Sequence, residues 1–198
     1  MKYAYVLASA SPRRKELLKK AVTEFEVIPS TANEDVDKEL RPSKLVKVLA
    51  ERKAMEVALR KENAGKVVIG SDTVVAYCKK ILGKPTDNAD AFRMLKLLSG
   101  EKHYVYTGVC FAYAERAGDP NSVKTIVKSV ATAVYFEKLS DDFMWEYIKG
   151  GSPMDKAGAY GIQDGGLVKK IKGSYTNVVG LPLEEVKEIV EKLETKGF

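Results

Sequence analysis

Short apolar runs alternate along this chain with longer segments whose apolar residues recur at helical spacing. The runs predict strands, and the periodic segments predict amphipathic helices. Two of these helices begin at recognisable capping residues, Asp87 and Ser140. The predicted strands cover residues 3–8, 24–29, 66–77, 103–115 and 122–138, and the predicted helices cover residues 12–21, 42–63, 87–98, 140–149 and 182–196.

This order of elements predicts an α/β fold in which helices flank a mixed sheet. The last two strands are joined around Gly118-Asp119-Pro120-Asn121, a hairpin signal, so the sheet is not purely parallel. Residues 30–41 predict an acidic loop, and the glycine-rich residues 150–181 predict loops mixed with short strands. The 198 residues suffice for one sizeable domain, which we assign to residues 1–198.

Composition narrows the cellular setting. No apolar run approaches the ~20 residues that span a membrane, and the N-terminal run is too short for a signal peptide. We therefore expect a cytoplasmic protein with no membrane partner. Cys78 and Cys110 form no CxxC pair, which favours free thiols in a reducing compartment. Because His103 is the only histidine, a His-based metal site or a Ser–His–Asp triad has little basis.

The formal net charge is +6, which favours an anionic partner. Lysine and glutamate are interleaved over residues 184–196, a pattern typical of a solvated helix face. The chain has no dense block of lysine and arginine. Nucleic acid is therefore not an expected partner.

Residues 8–14 read Ala-Ser-Ala-Ser-Pro-Arg-Arg, directly after the first apolar run. Proline suits the first turn of a helix, and small residues let backbone N–H groups approach an anion at the helix N-terminus. Arg13 and Arg14 add planar, permanently charged donors suited to phosphate oxygens. The segment fits either a phosphate site or an ordinary strand–turn–helix with two solvated arginines.

Two charged residues interrupt apolar patterns. Asp72 divides the apolar run of residues 66–77, either as a functional carboxylate or as a turn between two shorter strands. Lys53 lies within the apolar stripe of the helix predicted over residues 42–63. Its ammonium group must either reach the edge of the stripe or meet an anion.

Two further segments carry candidate chemistry. Glu34, Asp35 and Asp37 are either a solvated acidic loop or the source of a carboxylate that joins Asp72 on a divalent metal. Residues 154–166 contain many glycines, which fits either close backbone approach to a ligand or a plain surface loop. The P-loop and dinucleotide-binding fingerprints are both absent.

These motifs together resemble the Maf family of nucleoside triphosphate pyrophosphatases over nearly the whole chain. One departure is Gly151-Ser152-Pro153-Met154, which replaces a more usual Ser-Gly-Glu-Pro-like run and loses an acidic residue. The matching segments are Ser9-Ala10-Ser11-Pro12-Arg13-Arg14, Glu34, Leu49-Ala50-Glu51-Arg52-Lys53-Ala54, Ser71-Asp72-Thr73-Val74-Val75, Gly83-Lys84-Pro85, Leu98-Ser99-Gly100, Tyr106-Thr107-Gly108, residues 155–163 and residues 173–182.

The resemblance implies hydrolysis of a nucleoside triphosphate to the monophosphate and pyrophosphate with a divalent metal, Mg²⁺ or Mn²⁺. It also implies a two-lobed fold like that of inosine triphosphate pyrophosphatases, with the active site in the cleft between the lobes. Asp72, Glu34 and Lys53 would be catalytic, and Glu34 and Asp72 would hold the metal. Asp72 is a candidate for both general base and metal ligand. The implied substrate-binding residues are Ser9, Arg13, Arg14, Thr73, Lys84 and Gln163.

Selectivity follows from the same resemblance. Members similar to this chain, with Arg13, Thr73 and Gln163 at three selectivity positions, act on dTTP and UTP. The amide of Gln163 offers a donor and an acceptor to the uracil or thymine edge. Other readings are a pyrophosphatase for 7-methyl-GTP or non-standard purine nucleotides, and a non-enzymatic nucleic-acid-binding regulator of cell division. A homodimer is compatible with the sequence.

Overall fold

The computed structural model describes residues 2–36 and 40–198, so Asp37 of the predicted acidic cluster lies outside the described residues. The strands are β1 (Tyr5–Leu7), β2 (Phe25–Val27), β3 (Val67–Tyr77), β4 (Lys80–Leu82), β5 (Lys102–Ala114), β6 (Val123–Phe136) and β7 (Val168–Lys172). The α-helices are α1 (Pro12–Leu18), α2 (Pro42–Ala58), α3 (Asn88–Leu98), α4 (Asp141–Lys149), α5 (Tyr175–Val179) and α6 (Leu183–Lys196).

Within the described ranges, seven strands form one sheet in the order β2-β1-β3-β5-β6-β7, with β4 paired to β3. Strand β1 pairs in parallel with β2 and β3. Strand β4 is antiparallel to β3, and β7 is antiparallel to β6. The fold class predicted from the sequence, an α/β fold with a mixed sheet and flanking helices, is confirmed.

The chain divides into two compact units. The first comprises the described residues of Met1–Asp72, Thr107–Val130 and Gly180–Phe198, and the second comprises Thr73–Tyr106 and Ala131–Val179. We call them the first and second units. No α-helix in the described part of the chain is long and apolar enough to cross a membrane.

In the first unit, helix α2 lies directly against the sheet at two glycines. A Cβ on Gly70 would lie 2.4 Å from the backbone oxygen of Ala50, and a Cβ on Gly108 would lie 2.1 Å from that of Val46. Any side chain at either position would push the helix away, because real Cβ atoms do not approach backbone this closely. The glycines therefore fix the height of α2 above β3 and β5. The core on this face is apolar and includes Val6, Ala54, Val57, Val68, Cys110 and Ala112.

In the second unit, helices α3 and α4 pack on a core that includes Val75, Leu95, Val105, Phe136 and Tyr160. Both predicted caps are present. The Asp87 side chain accepts a hydrogen bond from the backbone N–H of Asp90 at 2.7 Å, and the Ser140 hydroxyl accepts one from Phe143 at 3.2 Å. Each cap satisfies a backbone donor that the first helical turn leaves unpaired.

The structure differs from the sequence prediction in β3, in α2 and in the glycine-rich segment, among other places. Strand β3 runs without a break from Val67 to Tyr77, so the turn reading of Asp72 is wrong. Helix α2 ends at Ala58 instead of residue 63, and a separate turn of 3₁₀ helix covers Lys61–Asn63. Much of the glycine-rich segment forms 3₁₀ turns, at Ser152–Asp155, Ala157–Ala159 and Ile162–Asp164.

Candidate active site

The segment between β1 and α1 places two of the predicted substrate-binding residues in direct contact. Pro12 opens α1, and the Ser11 hydroxyl caps the helix by accepting from the N–H of Arg14 at 3.4 Å. The Ser9 hydroxyl accepts from the Ser11 N–H at 3.2 Å and from Nη1 of Arg14 at 3.4 Å. The small residues of the motif thus build a tight turn that holds one arginine in place.

Arg14 is also fixed from the other side. Its Nε donates to the carbonyl oxygen of Gly180 at 2.8 Å, and the Ser71 hydroxyl lies 3.0 Å from the same oxygen. Burial lowers the pKa of the Arg14 guanidinium, whereas the nearby Asp72 carboxylate raises it. An arginine remains charged despite such burial, so this side chain is a preorganised cation beside Asp72.

Lys53 bridges two predicted catalytic carboxylates. Its Nζ lies 2.6 Å from Oδ1 of Asp72 and 2.9 Å from Oε1 of Glu34. The side chains of Lys53 and Asp72 are only 14% and 11% exposed, while that of Glu34 is 64% exposed. Of the two alternatives for Lys53, the structure therefore confirms that it meets an anion.

The packing of α2 explains this pairing. Gly70 and Asp72 lie two residues apart on β3, so they point to the same face of the sheet. A Cβ on Gly70 would lie 2.7 Å from the backbone nitrogen of Ala54, the neighbour of Lys53 on α2. The glycine brings the helix close, and the next residue on that face is the carboxylate that the lysine binds. The aspartate within a buried strand and the lysine within an apolar helix stripe therefore occur together, because each supplies the charged partner that the other needs.

The remaining predicted site residues belong to the second unit, which begins at Thr73. Thr73 is half-buried on β3, and Lys84 is exposed in the turn after β4. The backbone N–H of Gly158 donates to the carbonyl oxygen of Gly83 at 2.9 Å, so the lysine turn and the glycine-rich segment are joined. Gly158 has φ +69 and sits where a Cβ would lie 2.8 Å from Val75, which only glycine tolerates.

Gln163 is exposed in the 3₁₀ turn Ile162–Asp164. The turn is held by residues that the sequence analysis did not single out. The Tyr147 hydroxyl donates to Oδ2 of Asp164 at 2.5 Å and accepts from the N–H of Gly161 at 2.9 Å. The Ser152 hydroxyl lies 2.6 Å from the same Asp164 oxygen. The signal that could have found them is Asp164 itself, a carboxylate within a glycine-rich loop.

The structure thus divides the predicted site residues between the two units. In the first unit, Arg13, Glu34 and Asp72 all act electrostatically on Arg14, and Ser9 and Lys53 bind members of this group. In the second unit, the turn of Lys84 is joined to the segment that carries Gln163. We refer to Ser9, Arg13, Arg14, Glu34, Lys53 and Asp72 as the charged cluster.

The charged cluster can also be tested as a metal site. Among the described residues, no group of three or more His, Cys, Asp or Glu side chains could hold a metal ion. Glu34 and Asp72 nevertheless converge on one cation, the Lys53 ammonium. A magnesium ion bound with a nucleotide often takes only one or two carboxylates, because phosphate oxygens and waters supply the other ligands. The two carboxylates fit that type of site.

Comparison with solved structures bears on the fold. The chain is similar to the Ham1 protein of Staphylococcus aureus, with a TM-score of 0.51 at 14% identity, covering 95% of this chain and 98% of that one. A HAM1 protein from Coxiella burnetii gives a TM-score of 0.50 at 12% identity, covering 96% and 99%. At such low identity the likeness concerns the fold alone, and it agrees with the predicted fold type.

Comparison with sequences is more specific. A dTTP/UTP pyrophosphatase from Thermococcus gammatolerans is 47% identical over 195 residues, covering 98% of this chain and 96% of that protein. Proteins of the same name from Thermococcus kodakarensis and Citrifermentans bemidjiense are 49% and 46% identical, and each alignment covers at least 96% of both chains. The family model described as Maf-like protein matches residues 4–193. The chain belongs to the Maf-like protein family.

Proposed function

We propose that this protein is a nucleoside triphosphate pyrophosphatase that converts dTTP and UTP to the monophosphate and pyrophosphate. The observation that carries the proposal is the Glu34–Lys53–Asp72 arrangement beside the fixed Arg14. Such a group of cations and carboxylates suits a polyanionic substrate and a water nucleophile. Relatives at 46–49% identity over nearly the whole chain carry the name dTTP/UTP pyrophosphatase.

The chemistry assigns distinct roles to the carboxylates and the cations. Water attacks the α-phosphorus, Asp72 accepts a proton from that water, and pyrophosphate leaves with the electrons of the broken anhydride bond. Lys53 holds Asp72 in place through the 2.6 Å contact and adds positive charge where the phosphate charge grows. Arg13 and Arg14 bind phosphate oxygens, and the Ser9 hydroxyl orients Arg14.

A divalent metal belongs to this proposal, with Mg²⁺ or Mn²⁺ as its identity. Glu34 and Asp72 would hold it, since their carboxylates already share one cation. When bound, such an ion lowers the pKa of a coordinated water and neutralises charge on phosphate oxygens. Asp72 then serves as ligand, as base, or as both in succession.

Base selection is proposed for Thr73 and Gln163 together with Arg13. Gln163 is exposed on a turn that other side chains hold, so its amide is available to a ligand. A primary amide can donate to one carbonyl of uracil or thymine and accept from the adjacent ring N–H. Cytosine reverses part of this pattern and leaves polar groups unpaired, which lowers its use as a substrate. Lys84 is proposed to bind the phosphate chain.

The wider expectations from the sequence stay part of the proposal. Residues 1–198 act as a single Maf-type domain in the cytoplasm, as a monomer or a homodimer, without a nucleic-acid or membrane partner. The size of the particle in solution, measured by light scattering with and without UTP, decides between the two oligomeric states.

A panel of nucleoside triphosphates tests the activity. Pyrophosphate release is measured with UTP, dTTP, CTP, ATP, GTP, ITP and 7-methyl-GTP at equal concentrations and with Mg²⁺ or Mn²⁺. We expect UTP and dTTP to be hydrolysed well above the others. A preference for ITP or 7-methyl-GTP would favour the purine-directed alternative, and no turnover of any nucleotide would favour the non-enzymatic regulator.

A further inference from the structure

The turn that carries Gln163 is closed by a ring of hydrogen bonds to helix α4 and the segment after it. The hydroxyl of Tyr147 on α4 donates a hydrogen bond to the Asp164 carboxylate at 2.5 Å and accepts one from the backbone N–H of Gly161 at 2.9 Å. Ser152 bonds to the same carboxylate oxygen at 2.6 Å. Gln163 thus lies between two residues, 161 and 164, that are both tied to one phenol.

The residues of this hydrogen-bonded group are also closely packed around Gly161. A Cβ on Gly161 would lie 2.7 Å from Oδ2 of Asp164 and 2.8 Å from Cε of Lys156. The Lys156 side chain is only 12% exposed, and its Nζ lies 3.0 Å from the Ser152 hydroxyl and 2.8 Å from Oδ1 of Asp155. Lys156 and Ser152 therefore pack beside the exposed Asp164 carboxylate and connect the turn to the preceding segment.

A separate anchor attaches the same segment to the core. Tyr160 is buried, and its hydroxyl lies 2.8 Å from Nε2 of the fully buried His103. Its ring also packs edge-on against Phe136, with centroids 4.7 Å apart. The segment is therefore held at two places: Tyr160 is buried in the core, and the exposed Tyr147–Asp164 bond adjoins Gln163.

We propose that Tyr147 and Asp164 are positioning residues for base selection: they fix the turn so that the Gln163 amide meets the uracil or thymine edge in one orientation. The inference rests on the proposed function, in which Gln163 reads the base. A loose turn would let the Gln163 side chain approach the base from several directions, so that it could pair with cytosine as well as with uracil. A fixed turn restricts the direction from which the side chain reaches the base before the substrate binds, which is preorganisation of a recognition group.

Ser152 lies between the Asp164 carboxylate and Lys156. Its hydroxyl is 2.6 Å from Oδ2 of Asp164 and 3.0 Å from Nζ of Lys156. Removal of the Ser152 hydroxyl should have a weaker effect than removal of the Tyr147 hydroxyl, which also accepts a hydrogen bond from the Gly161 backbone N–H.

The test is the ratio of kcat/KM for UTP to that for CTP in matched variants. Tyr147→Phe removes one hydroxyl, and Asp164→Ala removes the shared acceptor. We expect each to narrow the ratio about three- to tenfold, as the loss of one or two hydrogen bonds would. Asp164→Asn retains an oxygen acceptor and should restore part of the ratio. Tyr135→Phe is the control, because the ring of this tyrosine in the same unit contacts Lys102 of β5 and Lys170 of β7 instead.

The outcomes separate this inference from the proposed function. Gln163→Ala narrows the ratio if Gln163 reads the base. If it does so while Tyr147→Phe and Asp164→Ala leave the ratio unchanged, the positioning role is wrong and the base-reading role stands. If Gln163→Ala itself leaves the ratio unchanged, both fail. A fall in kcat/KM that is equal for all nucleotides and is matched by a lower melting temperature would mean a structural role only, and would also overturn the inference.

Discussion

Lys53 and Asp72 lie opposite each other where helix α2 meets strand β3, with Nζ 2.6 Å from Oδ1. Both side chains are largely removed from solvent, and Glu34 reaches the same ammonium from the loop before α2. A charge pair in this position carries a desolvation cost that hydrophobic residues of the same size would avoid. Its presence inside an otherwise apolar contact is therefore best explained by chemistry.

Asp72→Asn should lower kcat by about 10²- to 10⁴-fold, the usual effect of removing a general base. The variant keeps the shape of the side chain, and Lys53 retains Glu34 at 2.9 Å, so the melting temperature should change little. Asp141→Asn is the matched control, since Asp141 pairs with Lys96 at an exposed site. Activity within a few-fold of the parent, at equal stability, would remove Asp72 from the mechanism.

Lys53→Ala should reduce kcat/KM for UTP about ten- to a hundredfold, because charge-assisted hydrogen bonds to phosphate contribute roughly 1.5–3 kcal/mol. The same substitution at Lys96 removes a lysine from an exposed ion pair and should have almost no kinetic effect. Steady-state kinetics and thermal melts on both variants provide the comparison. Were Lys53→Ala to stabilise the protein and leave its kinetics intact, the lysine would have no part in the reaction.

Gly70→Ala tests the link between packing and chemistry. The added Cβ would meet backbone atoms of Ala50 and Ala54, which cannot move without shifting the whole helix. We expect a loss of about 1–3 kcal/mol in the free energy of unfolding and, because α2 carries Lys53, a marked fall in kcat. Gly83→Ala is the stability control, since a Cβ there has no atom within 4 Å. Equal melting temperatures for the two variants would contradict the close contact between α2 and β3.

The only histidine provides a pH prediction. Burial lowers the pKa of His103 to about 4, whereas an unfolded chain has a histidine pKa of about 6.5. Between these two pKa values the unfolded state binds a proton that the native state does not bind. Protonation of His103 therefore lowers the free energy of unfolding as the pH falls from about 6.5 towards 4, by up to about 3 kcal/mol.

A titration followed by NMR tests this directly, because one imidazole gives one set of ring signals. The ring shifts should stay constant down to about pH 5. A midpoint near the ordinary histidine value would show that the His103–Tyr160 contact does not keep the ring neutral. His103→Gln should flatten the pH dependence of the melting temperature in the same range.

The sequence predicted the elements whose signals are local. Apolar periodicity located the long helices, and Asp87 and Ser140 marked two helix starts because capping depends on residues three positions apart. The short hairpin before Gly83 was missed for a physical reason. Cys78 and Lys79 occupy its turn with φ values of 46 and 64, where glycine, asparagine or aspartate is the usual signal.

In the candidate site, too, the sequence revealed residues that break a local pattern but not the contacts between distant segments. Asp72 and Lys53 were visible because each broke the pattern around it, and the structure shows that they bind each other. The bond from Arg14 to the Gly180 carbonyl joins residues 166 positions apart, and no local pattern reports such a contact. The Tyr147–Asp164 bond was missed because, although Asp164 is conspicuous as a carboxylate in a glycine-rich loop, no local pattern shows that helix α4 places Tyr147 beside it.

The most direct test of the account is the fate of the water oxygen. UTP is hydrolysed in H₂¹⁸O with a divalent metal, and the products are analysed by mass spectrometry and ³¹P NMR. Attack on the α-phosphorus predicts UMP that carries one ¹⁸O and pyrophosphate that carries none, and Asp72→Asn should form both products about 10²- to 10⁴-fold more slowly. Label in pyrophosphate, or release of UDP and orthophosphate, would show attack at another phosphorus and would contradict the account.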